Sequence, residues 1–270
     1  MDTDVVVVGG GSAGLQAALT LGRMRFDVVV VDAGEPSNAP AHAIGGLLGA
    51  HELSPLELLE TGRRQLAELP SVRLIAGEAT GVDGNCTVSI ANGDVLEARA
   101  VVLATGADYA VPDIPGVDEL WGNSVVHCPF CHGWEARDAR VGFLPAGEEH
   151  AEHVLPMVRR LSPDVEVFEE VAALRSQGGV LRAVVLPDGT EVDRSVLFVG
   201  APPTPRDSAF AALGLDRTEQ GLVAVDEFGR TTVEGVYAAG DLVATAPAVV
   251  QALATGQRAA VGITRDLGAG

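Results

Sequence analysis

Cys128 and Cys131 are separated by Pro129 and Phe130, and His132 follows the second cysteine directly. Thiols at that spacing can close a small disulfide ring, and a dithiol that opens and closes exchanges two electrons with a partner. An imidazole titrates near neutrality, so it can take a proton from an attacking thiol and return it to a leaving one. Two blander readings fit the same residues: half of a four-thiolate zinc site, or two buried apolar thiols. Zinc lacks ligands here, since Cys86 is the one remaining cysteine and His127 and His132 crowd against the motif. The expectation is redox chemistry at Cys128 and Cys131 with no metal, and His132 as general base. His127 reads as a packing or hydrogen-bonding residue, Trp134 as a core or interface anchor, Glu135 as an exposed helix acid and Cys86 as a buried thiol in a strand.

These residues belong to a chain of 270 residues that is 47% hydrophobic and carries a formal net charge of −19. That length supports one large or two modest domains with real cores. The negative charge repels phosphate backbones and so speaks against nucleic acid and anionic membranes as partners. The start, Met1-Asp2-Thr3-Asp4 and then Val5 to Val8, has neither the basic region of a signal peptide nor the length of a membrane span. A cytoplasmic location is expected, and in that reducing compartment a disulfide is more often catalytic than structural.

The elements that must position the thiols begin at the N-terminus. Val5 to Val8 is a β-branched run suited to a buried parallel strand, followed at once by Gly9-Gly10-Gly11-Ser12-Ala13-Gly14. Leu15, Ala18, Leu19 and Leu21 recur at helical spacing, a second apolar strand runs from Val28 to Val31, and Asp32 stands at its end. This is a complete βαβ dinucleotide fingerprint. Gly9 allows the tight turn, Gly11 the approach of a pyrophosphate to the helix N-terminus and Gly14 close packing, while Asp32 accepts hydrogen bonds from a ribose. Two further strands end in Ala104-Thr105-Gly106 and in Gly240-Asp241; the latter alone also reads as an ordinary strand-ending turn with a helix cap. Ser54-Pro55 with Leu56, Leu59, Leu66 and Leu69 reads as a capped amphipathic helix, Asn92-Gly93 as a hairpin turn and Val249 to Leu267 as the last helix.

Together, the N-terminal glycines, the Ala-Thr-Gly strand, the central CxxC and the late Ala-Gly-Asp resemble the thioredoxin reductase-like flavoproteins over nearly the whole chain. The resemblance implies an α/β fold: a Rossmann-like FAD-binding domain split between residues 1–113 and 227–270, interrupted by a shortened second nucleotide-binding-like domain, 114–226, that carries the CxxC. It implies FAD, with Gly9, Gly11, Ser12, Ala13, Gly14 and Asp32 at the ADP half and Ala104, Thr105, Gly106, Gly240 and Asp241 along the cofactor. Backbone amides of Val250, Gln251 and Ala252 would face the pyrimidine edge. Ser37-Asn38-Ala39-Pro40 resembles the flavin-facing loop, which assigns Asn38 to the cofactor; His42 and His51 around it read as loop histidines. By the same resemblance Cys131 lies against the flavin, Cys128 faces the substrate, and the protein is a homodimer.

The middle segment departs from the nicotinamide-dependent members. After the strand at Val141 to Leu144, Pro145-Ala146-Gly147-Glu148-Glu149 replaces a second glycine fingerprint, and Glu169-Glu170 stands where phosphate-binding arginines belong. The segment reads as a shortened unit with a hairpin at Pro187-Asp188-Gly189 and a single late strand, Val196 to Val199. With NADPH binding lost or poor, electrons must enter from a dithiol. Cys-Pro-Phe-Cys-His-Gly-Trp-Glu resembles the motif of small-molecule dithiol oxidases that close disulfides in gliotoxin- and holomycin-type natural products. The expected partners are therefore a small-molecule dithiol and molecular oxygen, which leaves as hydrogen peroxide. An NAD(P)H-dependent thioredoxin or disulfide reductase and a non-catalytic FAD redox sensor are the alternatives.

Overall fold

The computed structural model describes residues 2–50 and 52–268, which leaves His51 outside the described residues. The chain forms two compact units, residues 1–37, 56–108 and 205–270 in one and residues 38–55 and 109–204 in the other. In chain order the first unit supplies β1 (Asp2–Val8), α1 (Ser12–Arg23), β2 (Val28–Asp32), α2 (Pro55–Ala67), β3 (Val72–Ala76), β4 (Ala79–Val82), β5 (Thr87–Ile90) and β6 (Val95–Leu103). The short strand β7 (Ala107–Tyr109) spans the crossing into the second unit. There follow β8 (Val125–Val126), α3 (Pro129–His132), β9 (Val141–Leu144), α4 (Glu148–Leu161), β10 (Val165–Val167), β11 (Ala173–Gln177), β12 (Val180–Val185), β13 (Glu191–Asp193) and β14 (Val196–Val199). The chain returns through β15 (Pro203–Pro205) and ends in β16 (Val236–Ala238) and α5 (Val249–Leu267).

In the first unit a seven-stranded sheet has the order β3-β2-β1-β6-β5-β4, with β16 also pairing to β6. The β1, β2, β3, β6 and β16 pairings are parallel, and β4, β5 and β6 form an antiparallel meander. Successive strand residues point to opposite faces, so a strand covered on both sides must be apolar throughout. Val5 and Val7 pack with Leu15, Ala18 and Leu21 of α1 and Ala259, Ala260 and Ile263 of α5. Val6 and Val8 face the opposite cluster with Val88, Val101 and Phe210. Helix α2 turns Leu59 and Leu66 into the first cluster, while Leu56 stays exposed. The expected hairpin turn is present, with Gly93 at φ +93° and Asn92 bonded to Asp94.

The second unit holds a four-stranded parallel sheet, β10-β9-β14-β8, and a three-stranded antiparallel sheet, β11-β12-β13. The expected late strand, Val196 to Val199, is present as β14 and is central in its sheet, buried on one face by Leu197 and Val199 and on the other by Phe198. The four residues of α3 connect β8 to β9, and the antiparallel sheet occupies the crossover from β10 to β14.

The unit boundaries also differ from the sequence expectation of 113 and 227. The crossing comes earlier, since Tyr109 to Asp113 already belong to the second unit, where Val111 packs against the core that holds Ile114 and Val117. Residues 205–226 stay with the first unit because Phe210, Leu215 and Val223 are buried in the β-sheet cluster there. The glycine turn at 226–230 is internal to the first unit: Asp226 caps it through the amides of Phe228 and Arg230, and Ala238 donates to the Gly229 carbonyl. Residues 38–55 group with the CxxC unit, where a Cβ on Gly45 would come within 2.1 Å of the Cys131 carbonyl oxygen. Cys86 is buried as expected, but in the turn between β4 and β5 at φ +59° rather than in a strand. Among the described residues no helix is long and apolar enough to cross a membrane.

Candidate active site

In the second unit, β8 delivers the chain to Cys128, whose backbone is extended (φ −109°, ψ 107°) and which caps α3. Pro129 at the first helical position carries no N–H to leave unsatisfied and has its φ already set for a helix. The Cys131 amide donates to Cys128 Sγ at 3.1 Å, and the two cysteines form a disulfide with their Cα atoms 5.3 Å apart. Both sulfur-bearing residues are partly exposed, and Phe130 between them is 76% exposed. Gly133 ends the motif because any side chain there would press on the Pro129 carbonyl and on Leu161.

His132 is partly buried, and its Nδ1 has no hydrogen-bond partner among the described residues. Burial pushes its pKa below the ordinary histidine value, opposed by the Glu135 carboxylate and by the carbonyls of Cys128 and Gly122. The ring therefore stays uncharged to lower pH than a free imidazole, and its buried Nδ1 is unpartnered on the residue that follows Cys131. His127 lies between Tyr109 (centroids 4.5 Å apart) and Trp121 (5.4 Å, planes 18° apart). Burial first, and then the charge of His132, pushes His127 down to about 4. Its place in a ring stack fits the packing role expected for it. Trp134 is not a core residue: it is 69% exposed, with the Arg137 guanidinium 4.0 Å from its ring centroid.

The expected cofactor residues gather in the first unit, except Asn38, which opens the second. Gly9 sits at φ +107° and Gly14 packs on the Gly9 carbonyl, so neither tolerates a side chain. Gly9 also presses on Ala104, which brings the Ala104-Thr105-Gly106 strand end beside the glycine loop; the Thr105 hydroxyl donates to the Arg206 carbonyl. Gly11 caps α1 with no side-chain bond and has open space where a Cβ would point, ahead of the Ser12 and Ala13 amides. Asp32 Oδ1 accepts from the amides of Gly10 and Gly34. An open helix N-terminus with a carboxylate beside it fits the pyrophosphate and ribose of FAD. Gly240, at φ +75°, approaches Ala13, and its amide donates to the Thr255 hydroxyl, which fixes the turn holding Asp241. Gln251 lies in the first turn of α5, but the Ala252 amide closes onto the Ala248 carbonyl. Only the amides before it remain for a ligand, which corrects the expectation for Ala252.

Thr255 and Arg63, which bonds Asp32 Oδ2 at 3.0 Å, escaped the sequence reading. Nothing in the sequence marks Thr255, and Arg63-Arg64 reads as a solvated helix pair. In the second unit, the loop after β9 contains one glycine, Gly147, and α4 opens on Glu148 and Glu149. The loop is pinned where Gly200 meets Ala146, so the carboxylates occupy the place where a helix N-terminus would receive phosphate. Among the described residues no group of three or more His, Cys, Asp or Glu side chains could hold a metal ion.

The sequence matches the family described as pyridine nucleotide-disulphide oxidoreductase over residues 3–147 and 140–257. It is 30% identical to thioredoxin reductase tcpT of Claviceps purpurea, over 98% of this chain and 95% of that one. It is 31% identical to thioredoxin reductase aclD of Aspergillus oryzae, over 98% and 96%. Among solved structures, HlmI superposes with a TM-score of 0.92 at 36% identity, covering 98% of this chain and 92% of that one. The putative thioredoxin reductase TrxB of Bacillus anthracis superposes with a TM-score of 0.92 at 26% identity, covering 98% of both. Such matches run the length of both partners, so they concern the whole protein rather than a shared nucleotide fold: the chain belongs to the pyridine nucleotide-disulphide oxidoreductase family and is an FAD-dependent disulfide oxidoreductase.

Proposed function

We propose that this enzyme oxidises a small-molecule dithiol to its disulfide, with oxygen as the electron acceptor. The observation that carries the proposal is the neutral His132, its Nδ1 unpaired, beside a partly exposed disulfide. His132 takes the proton of one substrate thiol, and the thiolate attacks Cys128 Sγ. The Cys128–Cys131 bond breaks, Cys131 leaves as a thiolate and the substrate is held as a mixed disulfide on Cys128. His132 passes its proton to solvent and takes that of the second substrate thiol, which attacks the substrate sulfur of that bond, so Cys128 departs as a thiolate and the substrate disulfide closes. The two electrons now reside on the cysteine pair. Gly9 to Gly14, Asp32 and Gly240-Asp241 would hold FAD, which when bound would supply a two-electron relay from this pair to oxygen, the two protons leaving with the electrons as hydrogen peroxide.

The parallel sheet of the second unit favours a second reading, reduction of a disulfide by NAD(P)H. The acidic start of α4 argues against it, because Glu148 and Glu149 repel a pyrophosphate. Anaerobic mixing with each donor separates the two: a small dithiol should bleach the flavin absorbance rapidly, and NADPH should not. In air, dithiol-driven peroxide formation should fall at least about a thousandfold in Cys128→Ser and Cys131→Ser, since neither variant can form the ring. Turnover that survives either change, or fast bleaching by NADPH, refutes the proposal.

A further inference from the structure

Asp32 is held more completely than a ribose-binding acid requires. An ionised carboxylate offers about four acceptor positions, two on each oxygen. Oδ1 accepts from the Gly10 amide at 3.1 Å and the Gly34 amide at 3.2 Å, which fills it. Oδ2 accepts from Arg63 Nη2 at 3.0 Å, which leaves a single position on Oδ2. The side chains of Asp32 and Arg63 are 18% and 32% exposed, so the pair is neither sealed off nor freely solvated. Arg63 comes from α2, an element outside the βαβ fingerprint, and reaches across to the end of β2. Gly10 is locked into the same arrangement, because a Cβ there would stand 2.4 Å from the Asp32 carboxyl carbon.

We infer that Arg63 is a positioning residue for FAD: it fixes the Asp32 carboxylate so that one acceptor site, on Oδ2, faces the adenosine ribose. Three donors from three different segments determine the plane of the carboxylate, and the fourth position goes to a ribose hydroxyl. Without Arg63 the carboxylate keeps its Oδ1 bonds but rotates about them, and Oδ2 loses its fixed direction. The inference rests on placing the ADP half of FAD at Asp32, and its test separates the two statements.

The test is the rate at which FAD leaves the holoprotein, followed as the rise of free-flavin fluorescence on dilution. Losing one charge-assisted bond at this site should speed release about tenfold in Arg63→Ala. Arg63→Lys, which restores a cation and a donor, should return release to within about threefold of the parent. Asp32→Asn should itself speed release, and Arg63→Ala added to it should change the rate less than about twofold, because Arg63 acts through Asp32. If Arg63→Ala is too unstable to hold cofactor, Arg63→Gln carries the same comparison. Fast release in Asp32→Asn with parental release in Arg63→Ala overturns the inference alone. Parental release in Asp32→Asn overturns the placement of the ribose as well. Equal acceleration by Arg63→Ala in both backgrounds shows that Arg63 acts through the helix and not through the carboxylate, and also overturns it.

Discussion

His127 and His132 flank the same two sulfurs, and burial lowers the pKa of both, yet the structure gives them different work. His132 has an unpaired ring nitrogen, whereas His127 is spent in a stack with Tyr109 and Trp121. His132→Asn should cut dithiol turnover about a hundredfold while leaving bound FAD, a magnitude typical of losing a general base. In the parent, turnover should fall with acid only below the ordinary histidine pKa of 6.5, since burial holds His132 neutral to lower pH. His127 gives a prediction about stability. Folded, it stays unprotonated down to about pH 4, whereas in the unfolded chain it takes its proton near 6.5. The unfolded state thus binds more protons between those values, so stability falls as pH drops through that window and is unaffected above it. The His127 part of the loss should reach on the order of 2 kcal/mol by pH 5, seen as a lower urea midpoint than at pH 7, and His127→Phe should shrink the shift by that part and leave what His132 and His150 contribute. The motif Cys-x-x-Cys-His was legible as chemistry from residue types alone. The different roles of the two histidines were read there too, but not what His127 packs on, because Tyr109 and Trp121 reach it only through the fold.

Among elements, the contact between α1 and α5 depends on glycine. A Cβ on Gly256 would lie 2.1 Å from the Ala13 carbonyl oxygen, a backbone atom that cannot step aside. Gly256→Ala should therefore cost about 1–3 kcal/mol, as overpacking does, measured as a fall in the denaturation midpoint. Because Ala13 opens the phosphate-facing turn, the same variant should release FAD faster. The β1-α1-β2 unit, the Val249–Leu267 helix and the strand at Val196 to Val199 were legible because each buries a periodic or continuous apolar pattern. The strands at Val141 to Leu144 and Val165 to Phe168 were read as well, but β8 was not: it is two residues long, too short to show any period, and its pairing is set by β14. Arg63 was equally silent, since an arginine on a helix face looks solvated until its partner on β2 is known.

The two units draw on the chain unevenly, and the segment returning to the first unit carries a buried anchor. Phe210 is 1% exposed, within the cluster that covers β1 and β6. Phe210→Ala should cost about 3–5 kcal/mol in the first unit. If residues 205–226 belong with that unit, FAD retention should suffer while the reactivity of the Cys128–Cys131 disulfide toward a small thiol stays near that of the parent. The reverse pattern would return the segment to the second unit, where the expected boundary at 227 places it. Packing decides where a unit ends: Val111 packs against the second unit's core and Phe210 lies within the first unit's, each across its expected boundary. A last consequence follows from Gly45, which leaves no room for a methyl group against the Cys131 carbonyl. Residues 38–55 and the CxxC turn are moulded to each other although the chain separates them widely, so they form one exchangeable cassette. Grafting the cysteine motif alone onto a related scaffold should give a disulfide seated against the wrong loop, and a chimera that aims to transfer its reactivity must carry both segments together.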